Sequence, residues 1–381
     1  MFVQDAVLSS LAATRSLVPS GPAATVQGSD PCVAAELTVA EYPAWHALLQ
    51  QSPDASIYGQ PEYLATLCRA AGGRFRILTV SHGGELAGGV ALYERDSRLG
   101  SFVAPRRLLY RNGLVLRRYD TKYPSQQTSH DVAAMTALAA KLEAMRYAYV
   151  NLRSAGTVMD VRPFLLRGWQ AVPSYSYVVS LDDLAGQWER VEHNLRRLIK
   201  RCETRDKLQF TDDTDFDAFY GLHVSTLGRR GVGAYLPEPA FRQYFAELHA
   251  AGLARLFHAR LPDGRSIAAQ LVLLGPNATS QTVSAAGNEA FLKLGAHAFL
   301  RWRAFEILAA LGYRSNDLTD AALNSVTHFK GQLGGQLALS LVLKSPPRPL
   351  YALGSSVTRS VACIRRSLAR VAGRARGGAH E

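Results

Sequence analysis

The segment AHAFLRWRAFEILAALGYRSNDLT, residues 296–319, joins an Ala- and Leu-rich helix pattern to a short strand pattern that ends in polar residues. A second segment of the same design, DVAAMTALAAKLEAMRYAYVNLR, occupies residues 131–153. After each helix, three positions carry matching residues, and their spacing is identical in the two copies. They are Tyr147, Asn151 and Leu152 in one copy and Tyr313, Asp317 and Leu318 in the other. This common spacing indicates that the chain contains one structural unit twice.

A hairpin pattern precedes each of these segments. FRILTV (75–80) and LAGGVALY (86–93) flank a Gly-Gly turn, whereas ARLFHAR (254–260) and SIAAQLVLL (266–274) flank an Asp-Gly turn. Glycine adopts positive φ at little cost, so both turns favour antiparallel pairing. A further strand pattern, YSYVVSL or LALSLVL, closes each copy. We therefore predict an α/β (α+β) fold of two tandem units, each a mixed and largely antiparallel sheet flanked by helices.

The composition suggests where these units begin and end. Residues 1–34 are rich in Ala, Ser, Pro and Gly, which predicts a flexible lead-in. We place the two units at residues 35–185 and 186–345, followed by a basic tail over residues 346–381. In that tail, apolar residues step by three and four with arginines between them. The pattern predicts either a basic amphipathic helix at a membrane surface or a disordered, solubilising tail.

Charge and cysteine usage narrow the class of protein. The net charge of +12 favours partners that carry phosphate, acidic membrane surfaces or nucleic acid. The four cysteines lie far apart and form no metal-ligand spacing, which indicates free thiols in a reducing compartment. No apolar run reaches about 18 residues, and the N-terminus lacks a signal-peptide pattern. We expect a cytoplasmic protein, with peripheral contact at the inner membrane if the tail is amphipathic.

The stretch EHNLRRLIKRCE, residues 192–203, lies within a predicted connector helix over residues 188–203. Its apolar residues fall on one face and its basic residues on the other. The basic face, including Arg196 and Lys200, is either a solvated surface or a wall that binds the phosphates of a cofactor.

Four motifs together resemble the FemAB-type acyltransferases, which are tandem relatives of the GNAT superfamily. The motifs are NLRRLIKRCE, FYGLHVSTLGRRGVGAYLP, LKLGAHAFLRWRAFEILAALGYRSNDLTDA and THFKGQLGG. The resemblance implies transfer of an acyl group to an amine, with acyl-CoA as a co-substrate and with no permanently bound cofactor or metal. One departure is Leu292, which stands where the GNAT pyrophosphate loop has Arg or Gln.

The resemblance also assigns the acyl-donor loop. Gly295 and Ala296 begin a helix, whose free backbone N–H groups would hold the donor's pyrophosphate. His297 stands where the loop of the family has a small residue. Because the positive end of the helix dipole favours the neutral imidazole, His297 would serve as a base or a ligand contact. The alternative is a histidine packed for structural reasons.

Lys330 of THFK lies near the transfer site in the resembling family, and its ammonium would stabilise the oxyanion or the leaving group. Phe329 beside it is a candidate substrate contact. Asp317 and Asp320 flank the end of a strand, where either carboxylate could accept the proton of the attacking amine. For Asp317, a turn or cap role is the alternative.

The segment before and within the Gly- and Pro-containing loop GVGAYLP, which follows a helix-like stretch, supplies the remaining candidates for substrate binding, His223, Arg229, Arg230 and Tyr235. An arginine pair could fork onto a carboxylate or phosphate of the acceptor, and a solvated loop is the alternative.

Three functions remain open at this point. The first is an N-acyltransferase that acts on an amine of a cell-envelope polysaccharide, amino sugar or lipid intermediate, either small or lipid-linked. The second uses aminoacyl-tRNA as the donor and a peptidoglycan precursor as the acceptor, and only this alternative involves tRNA. The third is an inactive scaffold of an envelope-synthesis complex, which the altered pyrophosphate loop would explain. DNA is not an expected partner.

Overall fold

A computed structural model describes residues 31–353 of the 381-residue chain. Most of the predicted flexible lead-in and of the predicted amphipathic tail lies outside the described residues. The prediction for residues 1–34 differs from the structure at its end, because Val33–Glu36 forms a strand that pairs with residues 78–81. The short sequence VAAE has little strand character of its own, so its pairing depends on an exposed edge that the sequence pattern does not reveal.

The first half of the fold is a strand, two helices, a group of strands, a long helix and three closing elements. These elements are β1 (Val33–Glu36), α1 (Tyr42–Gln51), α2 (Pro61–Ala71), β2 (Arg74–His82), β3 (Glu85–Ser97), β4 (Gly100–Val103), β5 (Leu114–Leu116), α3 (Pro124–Ala144), β6 (Tyr149–Arg153), α4 (Arg162–Leu165) and β7 (Gln170–Ser180). Gly83 and Gly84 both adopt positive φ in the predicted turn between β2 and β3.

Two helices follow, α5 (Leu184–Arg190) and α6 (His193–Thr204). The prediction of one connector helix over residues 188–203 is therefore wrong, because the chain turns at Val191, which is extended. Val191 is buried in the core of the second half, and this packing overrides the helical pattern of the sequence.

The second half repeats the order of the first. Its elements are β8 (Gln209–Asp212), α7 (Phe216–Gly228), α8 (Glu238–Ala250), β9 (Ala254–Arg260), β10 (Ser266–Leu273), β11 (Thr279–Gly287), α9 (Ala296–Ala310), β12 (Ser315–Asp317), α10 (Ser325–Gln332) and β13 (Gln336–Lys344). Each half contributes one parallel pairing, β4 with β6 and β11 with β12, and the other pairings of the described strands are antiparallel. The predicted fold class is confirmed.

The two halves exchange their last strands. One sheet runs through both halves in the order β1-β2-β3-β4-β6-β13-β7-β12-β11-β10-β9-β8, with β5 paired to β3. Thus β13 of the second half lies beside β6 of the first, and β7 of the first half lies beside β12 of the second. The two exchanged strands pair with each other along their length, from Gln336 opposite Val178 to Lys344 opposite Gln170.

The register of this exchange is the same on both sides. Asn151 lies opposite Lys344, and Asp317 lies opposite Val178. Asp317 corresponds to Asn151, and Lys344 corresponds to Val178, because each follows its counterpart by the same number of residues. The two pairs are therefore equivalent. The matching phrases of the sequence therefore mark equivalent strands of two copies.

Three apolar clusters form the core. One lies in each half, under α3 and under α9 respectively. The third joins the halves, because helices α1 and α2 pack with α7 and α8, and it includes the hydroxyl contact of 3.0 Å between Tyr63 and Tyr244. Within residues 31–353, no helix combines the length and the apolar composition needed to cross a bilayer.

Candidate functional site

The start of α9 is the centre of the site. The N-cap Gly295 has φ of +93° and follows a 3₁₀ turn over Glu289–Leu294. A Cβ on Gly295 would lie 2.8 Å from the Cβ of Leu198 in α6, so glycine is required both by the backbone and by the close approach of the two helices. The N-cap provides no side-chain hydrogen bond, and the Ala298 N–H donates to the Gly295 carbonyl oxygen, which leaves the N–H groups of Ala296 and His297 for an anion.

A cavity of about 460 Å³ opens beside this helix start. Its apolar walls include Leu195 and Leu198 of α6 and Val326 and Phe329 of α10. The volume is typical of a site for a small ligand or for part of a larger one.

Three arginines supply the charge of the cavity, and no carboxylate lies among its lining residues in the described part of the chain. Arg229 is held by hydrogen bonds of 3.0 Å to the Ser225 Oγ and the Gly287 carbonyl oxygen. Arg230 is exposed. Arg301, one turn into α9, is 7% exposed, and its Nη1 is buried without a hydrogen-bond partner. The cavity is thus suited to an anionic ligand with apolar parts.

His297 also lines the cavity, four residues before Arg301 on the same helix face. Its ring packs over the backbone of Gly287. Burial, together with the positive charges of Arg301, Arg230 and Arg229, lowers the pKa of His297 to about 4. The imidazole is therefore neutral at pH 7, as the sequence predicted, and it can accept a proton or a hydrogen bond.

Lys330 lies next to Phe329 on α10 but on the side away from the cavity. Its Nζ donates hydrogen bonds to the carbonyl oxygens of Thr319 and Asp320, the latter at 2.6 Å. Burial lowers the pKa of Lys330 to about 8, and the nearby Arg301 contributes to this shift. The positive charge of Arg301 therefore lowers the pKa of both His297 and Lys330.

The turn that covers Lys330 has an unusual backbone. Thr319 and Asp320 have φ of +53° and +33°, a region that costs a non-glycine residue roughly 1–2 kcal/mol. Asp317 holds this turn, because its Oδ1 accepts a hydrogen bond of 2.7 Å from the Thr319 N–H. Its Oδ2 forms a 2.5 Å ion pair with Arg111 of the first half. Both carboxylate oxygens of Asp317 are thus engaged.

A narrow polar crevice lies over this turn, where the two halves meet. Tyr110, Arg111 and Arg153 contribute from the first half, and Asp317 and Asp320 from the second. The crevice holds about 10 Å³, which is room for about one water molecule. The Nε of Arg153 is buried there without a hydrogen-bond partner. The carboxylate of Asp320 belongs to an exposed residue and is the accessible acid of the crevice.

The basic face of α6 lies elsewhere. Arg196 forms a 2.5 Å ion pair with Glu189, and the Lys200 Nζ stands 5.9 Å from the ring centre of Trp188, both on α5. The structure differs here from the expected phosphate-binding wall, because the cavity lies on the side of the helix that packs into the core. The apolar face of α6 therefore lines the cavity, and the basic face points outward.

His223 and Tyr235 contact each other rather than the cavity. The His223 Nε2 accepts a hydrogen bond of 3.3 Å from the Tyr235 N–H, and its Nδ1 lies 3.1 Å from the Ser284 Oγ. Nδ1 therefore carries the proton and donates to Ser284. Burial lowers the pKa of His223 to about 4, and Arg107 adds to the shift. Both nitrogens of this ring are used inside the protein.

The predicted residues other than Arg196, Lys200, His223 and Tyr235 fall into two groups on either side of α10. Gly295, His297, Arg229, Arg230 and Phe329 line the cavity. Asp317 and Asp320 line the crevice, with the Lys330 ammonium beneath their turn. Ala296 is buried in the first turn of α9, where it packs in the core and is not among the residues that line the cavity.

Sequence reasoning missed Arg301, Arg111 and Arg153. A signal for Arg301 was present, because it stands four residues before Phe305 and seven before Leu308, on the buried face of the helix. Arg111 offered no signal, since its partner Asp317 lies 206 residues away.

A family model described as "Acetyltransferase (GNAT) domain" matches residues 189–330, which include every cavity residue named above. The search of curated proteins gives no significant match.

Several solved structures have a similar fold. FemX superposes with a TM-score of 0.63 at 12% identity, covering 84% of this chain and 99% of its own. L-PGS from Bacillus licheniformis gives 0.53 at 13% identity, with 84% and 96% covered. A tandem GNAT protein from the clavulanic acid biosynthesis pathway gives 0.50 at 11% identity, with 84% and 99% covered. At these identities the likeness concerns the fold.

The family model covers the half that holds the cavity, and the fold likeness extends over both halves. Residues 189–330 match the acetyltransferase (GNAT) domain, and the chain as a whole has a fold similar to that of FemX.

Proposed function

We propose that the chain transfers an acyl group from an acyl-CoA thioester to an amine of a cell-envelope polysaccharide, amino sugar or lipid intermediate. The observation that carries this proposal is the cavity at the start of α9. It combines free helix N–H groups, three arginines and apolar walls, and it contains no carboxylate among its described lining residues. Such a cavity suits the chemical parts of an acyl-CoA, which are its phosphates, its hydrophobic arm and its acyl chain.

The donor's phosphates would bind at the mouth of the cavity. Arg230 is exposed there, and Arg229 is fixed by its hydrogen bonds to Ser225 and Gly287. The helix N–H groups after Gly295 would provide the remaining donors. Leu292, which replaces the usual Arg or Gln of the loop, lines the same cavity. We propose that Arg229 and Arg230, which follow the C-terminal end of the neighbouring helix α7, supply the charge that Leu292 lacks.

The acyl carbon would lie where α10 separates the cavity from the crevice. An amine that reaches the crevice would attack the thioester carbonyl carbon and form a C–N bond, while the C–S bond breaks. Coenzyme A would leave as the thiolate, which takes up the proton that the amine loses and is released as the thiol. The Lys330 ammonium would stabilise the oxyanion by giving up one of its two carbonyl contacts. Asp320 would accept the amine's proton through water, because Asp317 is occupied by Arg111 and Thr319.

The acceptor would lie over the crevice and place only its amine in it, because the crevice has room for about one water molecule. The arginines of the crevice suit an anionic amine compound such as a phosphorylated or lipid-linked amino sugar. Arg153 is the candidate contact, because its Nε has no hydrogen-bond partner. His223 and Tyr235 would act on the acceptor only through Tyr110, whose hydroxyl donates to the Tyr235 hydroxyl at 3.5 Å.

Release of free thiol from acyl-CoA, scanned over amine acceptors, tests the proposal. We expect release that depends on the acceptor, and we expect Lys330→Ala to lower kcat by a factor of about a hundred or more. Aminoacyl-tRNA should be tested in parallel as the donor. Transfer from it, with binding that weakens steeply as salt rises and with no thiol release from acyl-CoA, would contradict the proposed donor.

A further inference from the structure

Arg301 is a charged group that the proposed transfer step does not use. It is 7% exposed on the inner face of α9, and no hydrogen bond or ion pair to it is found among the described residues. Burial without a partner lowers its pKa to about 10. A buried guanidinium without a negative partner destabilises the ligand-free protein. Such an arrangement is unusual unless a ligand brings the missing negative charge.

The position of Arg301 indicates which part of the ligand carries that charge. Arg229 and Arg230 are more exposed and lie nearer the mouth, where the start of α9 would hold phosphate. Arg301 lies one turn farther into the helix, and it lines the same cavity as Phe329, the chain neighbour of Lys330. It is therefore closer to the acyl end of the donor than to the phosphate end.

On the basis of the proposed function, we infer that the acyl group itself carries a carboxylate, which forms an ion pair with Arg301 inside the cavity. The donor class is then the thioester of a dicarboxylic acid. A fork of two guanidinium N–H groups onto a carboxylate would engage the unpartnered Nη1. A neutral acyl chain would leave the guanidinium buried and unpaired, so the cavity would discriminate against it.

Isothermal titration with two thioesters of the same shape tests this inference. Succinyl-CoA carries the carboxylate, and isocaproyl-CoA replaces its two oxygens by methyl groups. We expect the wild type to bind succinyl-CoA at least about tenfold more tightly, because a charge-assisted hydrogen bond is gained. In Arg301→Met the preference should disappear or reverse.

A matched control is available on the same helix. Arg303 is exposed and ion-paired with Glu306 at 2.7 Å, so Arg303→Met removes an arginine without touching the cavity. It should retain the preference for succinyl-CoA. In addition, ligand-free Arg301→Met should melt at a higher temperature than the wild type, whereas loss of a merely structural arginine would lower the melting temperature.

The outcomes separate the inference from the proposed function. Equal binding of the two thioesters to the wild type would overturn the carboxylate assignment and leave the acyl-CoA donor in place. An equal loss of affinity for both in Arg301→Met would assign Arg301 to the phosphates and also overturn the inference. If neither thioester bound the wild type, both the inference and the proposed donor would be wrong.

Discussion

The Nη2 of Arg111 lies 2.5 Å from the Oδ2 of Asp317, although the two residues are 206 positions apart in the chain. Asp317 is 1% exposed, and Arg111 belongs to the other half of the protein. The pair therefore joins the halves at the crevice. Because Asp317 also holds the backbone of Thr319, the ion pair fixes the turn over Lys330.

Removing the arginine should be costly. In Arg111→Met the Asp317 carboxylate would stay buried without its cation, which typically destabilises a protein by about 3–5 kcal/mol. We expect a loss of this size in the free energy of unfolding, measured by urea titration at pH 7. The double variant Arg111→Met/Asp317→Leu should recover part of it, because no charge is then buried. A loss below about 1 kcal/mol in the single variant would show that the pair does not act as described.

The requirement for glycine at position 295 can be separated into two causes. Gly264, in the β9–β10 turn, has φ of +85° and open space around it, so Gly264→Ala measures the cost of the backbone alone, about 1–2 kcal/mol. Gly295→Ala should cost more, because the new Cβ also collides with Leu198. It should weaken acyl-CoA binding, which Gly264→Ala should leave intact. Equal effects of both substitutions on stability and binding would contradict the assigned contact.

The ammonium role proposed for Lys330 predicts a pH effect. Its pKa is lowered to about 8, so the charged form is lost as the pH rises through 8. With an acceptor amine that stays neutral over the range, kcat should fall above about pH 8. Arginine remains charged above pH 8. The kcat of Lys330→Arg, whatever its absolute value, should therefore begin to fall only at a higher pH than that of the wild type. An unchanged descending limb in Lys330→Arg would exclude Lys330 as its origin.

His223 should make the protein sensitive to acid. Its pKa is about 4 in the folded state against 6.5 normally, so unfolding takes up a proton between these values. Its contribution to stability is complete above pH 6.5 and is lost as the pH falls toward 4, by an amount on the order of 3 kcal/mol. Urea unfolding of the wild type and of His223→Gln from pH 7 to pH 4 measures this contribution as the difference between their free energies of unfolding. Parallel curves would show that His223 titrates normally.

Local patterns predicted the repeated architecture because they depend on near neighbours. The hairpins, the helix over residues 296–310 and the matched phrases follow from periodicity and turn residues. The exchange of β7 and β13 could not be predicted in this way, because either strand would satisfy the same apolar pattern beside β6 or β12. Which strand pairs with β6 and which with β12 is determined by the pairing of the whole sheet.

The site was predictable to a similar extent. Residues close to a recognisable motif, such as Gly295 and His297, were found and do lie together in the cavity. The sequence did not show which face of α6 lines the cavity, since an amphipathic pattern distinguishes two faces but does not indicate what packs against each of them. Arg111 depends on a contact between distant segments, which leaves no trace in local spacing.

The central claim is that the cavity at the start of α9 holds the acyl donor. Ala285 lines this cavity, so Ala285→Phe would fill it, whereas Ala251→Phe places the same side chain at an exposed position. Isothermal titration of succinyl-CoA should show one molecule bound per chain in the wild type and in Ala251→Phe. Binding should be lost in Ala285→Phe with the fold retained. Undiminished binding in Ala285→Phe, or none in the wild type, would contradict the claim.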